Sequence, residues 1–340
     1  MSHHLSPLKL AFATLSLLAF GACDQSPSPT GPPEPASSTA ATAVSYTARD
    51  LGIAGEFATT ATSINTAGQV VGYWFRPDDE FRGFIWKNGI TTYLTTPGGS
   101  ETRAMDINDF GQVVGSSVNP QGKWRASRWR NGVKSGLGSL GGTESRAFAL
   151  NNENDVVGES QLRGDRTSHA FLVKNGVMTD LGTLGGGNSA ALDINDGGQI
   201  VGWSETSNGT RHPFLWQNGV MRDLLPPGSV TTGTAYAINS AGVVVGEKNH
   251  HAFRYYNGVM SNLAVLGSGP SIATGIRGGR IVGTAFGRGF LLVGGEVTLL
   301  PCLPGADSCG AYAVNGAGVI VGLTINETDS FQSVTMWTPQ

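Results

Sequence analysis

The chain has 340 residues, 50 of them glycine, and its 22 Lys plus Arg against 25 Asp plus Glu leave a net charge of -3, so it lacks the basic surplus that binding to a phosphate backbone needs. Glycine at about twice its usual share signals many turns, but without a three-residue period it excludes collagen. A hydrophobic share of 39% with 14 Phe, 7 Tyr and 7 Trp excludes a disordered chain.

Behind Lys9, Leu10 to Phe20 is an apolar run of 11 residues, the length of a signal-peptide core and too short to cross a bilayer. It ends in Phe20-Gly21-Ala22-Cys23, which resembles a bacterial lipobox with Phe where Leu is usual. The reading is a lipoprotein leader over 1–22, removed in front of a lipidated Cys23, with ordinary signal-peptidase cleavage as the alternative. Residues 23–45 are rich in Pro, Ser, Thr and Ala and hold no large apolar residue before Val44. They cannot bury enough surface to offset their ordering entropy. They read as a tether that would reach up to about 60 Å if extended.

From residue 46 onward one unit recurs. Ala104-Met-Asp-Ile-Asn-Asp-Phe-Gly-Gln-Val-Val-Gly115 returns as segments ending at Gly72, Gly202 and Gly246, and in weaker copies ending at Gly158, Gly283 and Gly322. The seven marker glycines lie 43, 43, 44, 44, 37 and 39 residues apart. Each unit divides into four β-type runs, seen in unit four as 190–195, 199–204, 212–216 and 220–224, here termed strands a to d. An Asn-Gly pair between strands c and d at 88/89, 131/132, 175/176, 218/219 and 257/258 is a two-residue hairpin signal, because that turn needs positive φ at both positions. Four antiparallel strands at this period predict an all-β, seven-bladed β-propeller over 46–340. The last unit ends after strand c at Trp337, while Val44 to Gly52 resembles a strand d. An N-terminal strand is therefore expected to complete the last blade and close the ring.

His169-Ala-Phe171, His251-Ala-Phe253 and the variant His212-Pro-Phe214 resemble the bacterial extracellular HAF repeat family over about 51–337. Units one, two, six and seven depart from the tripeptide, with Arg82, Arg125, Arg288 and Ser333 at the His position. The resemblance implies export and a repeated β architecture, and no particular reaction or ligand.

A residue found in every blade serves what each blade needs. The His/Arg column at the start of strand c is thus expected to satisfy a neighbouring blade's backbone or carboxylate. Asp106-Ile-Asn108 and Asp193-Ile-Asn195 lack the further acids of a calcium loop and read as tight turns. No metal-ligating His spacing and no nucleophile elbow is present, so neither catalytic residue, metal nor cofactor is expected. The blades differ in their b–c links, which emerge with the d–a links on one face. Trp74, Arg76, Phe81, Trp124, Arg163, Arg166 and Trp203 fall there, aromatics among charges that suit a carbohydrate or a protein ligand. The expected function is an exported, lipid-anchored binding or adhesion module, monomeric, touching membrane through its lipid alone and no nucleic acid. A structural or complex-assembly scaffold of the cell envelope is the alternative, with a propeller enzyme behind it. Cys302 and Cys309, in a Gly/Pro-rich loop of an exported chain, are expected to pair as a disulfide.

Overall fold

A computed structural model of the chain describes residues 44–53, 59–75, 80–97, 99–263, 265, 267–326 and 331–340. The leader, Cys23, nearly all of the tether and Arg76 lie outside the described residues. Every regular element described is a β-strand. The strands form seven four-stranded antiparallel sheets, six of them consecutive a–b–c–d blades. The seventh takes strands a, b and c from Ser308–Val314, Ile320–Asn326 and Phe331–Pro339 and its outer strand from Tyr46–Asp50. The molecule is a seven-bladed β-propeller closed by its N-terminal strand. Tyr46 pairs with Pro339 and Asp50 with Thr335, and Ser333 Oγ donates to the Asp50 carboxylate at 3.0 Å. In blade 4 the strands are Gly185–Ile194, Ile200–Thr206, Arg211–Gln217 and Val220–Asp223.

The paired apolar residues of strand b explain how blades stack. Alternation sends the first to one blade face and the second to the other. Val70 packs with blade 7 and Val71 with blade 2; Ile200 packs with blade 3 and Val201 with blade 5. Seven apolar clusters result, one at each blade interface. Phe84, Phe171, Phe214, Phe253 and Phe290 are fully buried in them. Blades 2 and 7 carry Ser127 and Thr335 instead, each hydrogen-bonded to a second hydroxyl, Ser117 and Thr324. The lost packing is supplied there by the buried Trp129 and Trp337, whose Nε1 atoms donate to the Thr95 and Pro301 carbonyls.

Strand a of every blade contains a bulge. In blade 4 Ala191 pairs with Gly202 and Asp193 with Val201, leaving Leu192 as the extra residue. A bulge bends its strand and re-aims a side chain. The extra residues are Thr62, Met105, Phe148, Leu192, Tyr236, Thr274 and Tyr312, all lining the central channel. The bulge also brings strands a and b unusually close, which is why the marker position is glycine. A β-carbon on Gly202 would lie 2.0 Å from the Ala190 carbonyl oxygen, and the other six markers meet a strand-a carbonyl at 1.9 to 2.0 Å.

The His/Arg column reaches the neighbouring blade's backbone at Arg125 and differs from expectation at its histidines. His169 and His212 contact Asp180 and Asp223 on strand d of their own blades, at 2.9 and 2.7 Å. His212 Nε2 and His251 Nε2 reach the Ser229 and Ser268 carbonyls of the d–a links, while Arg125 reaches the Gly142 carbonyl on strand a of blade 3. The column thus ties strand c to its own outer strand in blades 3 and 4, to the following link in blades 4 and 5, and to the next blade from blade 2. Cys302 and Cys309 form a disulfide with Cα atoms 5.6 Å apart, joining the last d–a link to strand a of blade 7.

Candidate functional site

Two places gather polar and aromatic side chains, one on each face of the propeller. On the hairpin-turn face the a–b turns surround a chamber of about 390 Å³, lined at depth by Phe148, Leu192, Tyr236 and Tyr312. Burial pushes the Tyr312 phenol up from its ordinary value, and nearby Tyr73 adds to the effect. Around the chamber runs a girdle of asparagines. Each Asn carboxamide accepts from its own turn, as Asn195 Oδ1 does from the Gln199 N–H, while its Nδ2 donates to the turn carbonyl of the next blade. Asn65, Asn108, Asn151, Asn195, Asn239 and Asn315 make this crossing at 2.7 to 3.2 Å, and Asn315 closes onto Asn65. Blade 6 has a shorter Gly278-Gly279 turn and carries Arg277 in place of the asparagine. Arg277 reaches across to Asp109 of blade 2 at 3.2 Å. Burial works against the Asp109 anion, but the Thr66 N–H and hydroxyl, with Arg277, hold its carboxyl below the usual range.

Asp106 and Asp193 follow the bulges of blades 2 and 4. Each grips a main-chain N–H of its own strand and another of the next blade: Ile107 and Leu150 for Asp106, Ile194 and Ile238 for Asp193. Burial raises both carboxyls, and burial with the nearby Asp106 charge lifts Asp193 to about 7 against its two N–H donors and Arg277. An acid raised on folding stabilises the fold below its unfolded value, and that contribution disappears as pH climbs through the folded value. Unfolding free energy is therefore expected to fall between about pH 4 and 7, by on the order of 4 kcal/mol at most at 1.36 per unit. Denaturant titrations across that window should show Asp193→Asn less stable at acid pH yet with a clearly flatter profile. Parallel profiles for the two proteins would refute the assignment.

The loop face holds the second place. Arg103, on strand a of blade 2 (Thr102–Ile107), lies 3.7 Å from the ring centroid of Phe81, 4.8 Å from that of Trp124 and 5.5 Å from that of Tyr73. Phe81 and Trp124 are the first residues of strand c in blades 1 and 2, so the b–c links set them side by side. Tyr73 and Phe81 meet edge to face at 5.7 Å. Burial pulls the guanidinium below its ordinary value, Tyr73 and Glu101 opposing and Arg146 adding to the fall. Arg146 itself is paired with Glu144 and Glu159 at 3.0 and 3.1 Å. Trp203 forms a separate stack under Arg211 at 4.1 Å in blade 4. Trp74 packs into the cluster between blades 7 and 1, 6.0 Å from Tyr93. Arg163 and Arg166 are exposed on the b–c link of blade 3, around Asp165, which accepts from Thr143. The structure thus brings Phe81 and Trp124 together and leaves Trp203, Arg163, Arg166 and Trp74 apart from them. Arg103, the residue that joins them, sits in a strand whose other copies carry Thr60, Arg146, Ala190, Thr234, Ile272 and Gly310 at that position, and this irregularity was its only signal. Among the described residues no group of three or more His, Cys, Asp or Glu could hold a metal ion.

No protein-family model and no curated protein matches the chain in sequence. Its likeness is to solved β-propeller structures. The β-propeller domain of the Trilobed protease from Pyrococcus furiosus, with an open velcro topology, superposes with a TM-score of 0.55 at 12% identity over 82% of this chain and 93% of that one. The extracellular domain of the one-component system BT4673 from B. thetaiotaomicron gives 0.54 at 10% identity, over 85% and 39%. A puromycin-hydrolyzing peptidase from Mycobacterium tuberculosis gives 0.52 at 13% identity, over 81% of this chain and 52% of that chain, so the chain spans about half the peptidase's length. These likenesses show the fold alone.

Proposed function

We propose that the chain is a binding module whose carbohydrate or protein ligand docks on the loop face, over the seam between blades 1 and 2. One observation carries the reading: two aromatics from adjacent strand-c starts and a third from strand b converge on a single guanidinium, a density of aromatic and Arg side chains typical of recognition patches. The chamber carboxylates support the same assignment, because Asp106 and Asp193 are engaged with main-chain N–H groups and act in joining blades. In this reading the module is exported and held at the cell envelope by a lipid on Cys23, and adhesion is its role. The Cys302–Cys309 disulfide fits an oxidising compartment.

Trp124 is half-buried at the start of its strand, so its removal spares the apolar clusters. Screening the protein on a glycan array and against envelope extracts should yield a ligand whose affinity drops about tenfold or more on Trp124→Ala, with melting little changed. Capture that is indifferent to Trp124→Ala would favour the scaffold reading instead.

A further inference from the structure

Arg103 has an uncommon contact set for a guanidinium so enclosed. Its Nε is buried without a hydrogen-bond partner, and none of its nitrogens is hydrogen-bonded to an acceptor among the described residues. Its neighbours are three aromatic rings. A guanidinium is always charged and presents a planar fork of donors. The rings hold that fork in place, and the Phe81 N–H occupies a Glu101 carboxylate oxygen beside it. A fixed cation whose donors are unspent matches a planar anion of the same geometry.

Two features narrow the anion. Arg146, the other cation nearby, is already paired with Glu144 and Glu159, so the place offers the single charge of Arg103 with Glu101 beside it and two further carboxylates behind. A monoanion fits that balance, whereas a phosphate would bring more charge against Glu144 and Glu159. Strand c, which carries Trp124, is paired on both edges, and the unpaired edge of strand a borders the central channel, leaving no free edge beside Trp124 for an extended peptide to join as a strand. We propose that the loop-face site receives an acidic sugar, the carboxylate of a uronic-acid residue docking on the Arg103 fork beside Trp124. The inference rests on the binding-module reading and specifies its ligand.

The test uses an oligogalacturonide and the same oligosaccharide after carboxyl reduction, titrated while following tryptophan fluorescence. The unaltered protein should bind the acidic form about tenfold or more tighter than the reduced form. Arg103→Met, which keeps an unbranched apolar stem against the rings, should erase that preference, and Arg103→Lys should restore part of it. The comparison on the unaltered protein decides even if Arg103→Met does not fold. Equal binding of the two oligosaccharides would overturn the inference while leaving a binding module in place. Binding of neither, or an acidic peptide held through Arg103 while the oligogalacturonide is inert, would overturn the acidic sugar. The binding-module reading itself stands or falls on Trp124-dependent capture from the array and extracts.

Discussion

Gly202→Ala is expected to abolish cooperative folding of the ring. Its β-carbon would stand 2.0 Å from the Ala190 carbonyl oxygen and 3.0 Å from the Ala191 Cα, so both obstructing groups are backbone. Overpacking a core with a movable side chain costs about 1 to 3 kcal/mol. Here relief requires strands a and b to part at the bulge, with loss of their mutual hydrogen bonds, and a cost beyond about 4 kcal/mol follows. Soluble yield and thermal melting provide the readout. The contrast is Gly136→Ala in blade 2, where nothing lies within 4 Å of the added carbon, and whose melting should match the unaltered protein. A Gly202→Ala protein melting within a few degrees of it would show that the marker glycine answers to something other than this contact.

Removing residues 44–52 should have the second largest effect. The Tyr46–Asp50 strand would be lost, together with the Leu51 N–H bond to the Val334 carbonyl and the Ser333 bond to Asp50. Buried Leu51 would leave the cluster between blades 7 and 1. The missing side chain and five strand pairings together amount to several kcal/mol. At about 2 to 4 °C per kcal/mol in a domain of this size, melting should fall by more than about 10 °C. The bared edge of Phe331–Pro339 should also promote association, visible in light scattering. Unchanged melting would mean that three strands of blade 7 close the ring unaided.

The blades were legible in the sequence because turn and packing signals repeat. Asn-Gly marked five of the c–d hairpins, and a Val-Val or Ile-Val pair announced strand b. The orphan strand at 44–52 was legible because the last unit ends without its own. What repetition could not convey is contact between copies. An asparagine in six of seven turns reads as a turn former, since Asp would serve the acceptor side equally. Only the donor side explains why Asp is absent, for a carboxylate at 195 would face the Asn239 carbonyl instead of bonding it. The bulge was invisible for the same reason: one extra residue leaves the period unchanged, yet it decides which side chains line the channel. The partners of His169 and His212 were misplaced because their carboxylates, Asp180 and Asp223, stand on strand d of the same blade, eleven residues on. The candidate site was partly legible. Phe81 and Trp124 stood out as aromatics on variable links, but their meeting depends on the seam between blades 1 and 2, and Arg103 between them belongs to no repeated pattern.

Ring closure by an N-terminal outer strand also sets which way the molecule looks. Strand d begins at the hairpin-turn face, and in blade 7 that beginning is Tyr46, paired with Pro339 next to the last residue. The strand that opens the ring and the strand that ends it therefore run side by side at its circumference, and Tyr46 and Pro339 lie at the face opposite Arg103, Phe81 and Trp124. The loop face is free of both strand ends, like the dial of an instrument whose fittings are on the back, and a bulky ligand can approach it without meeting them.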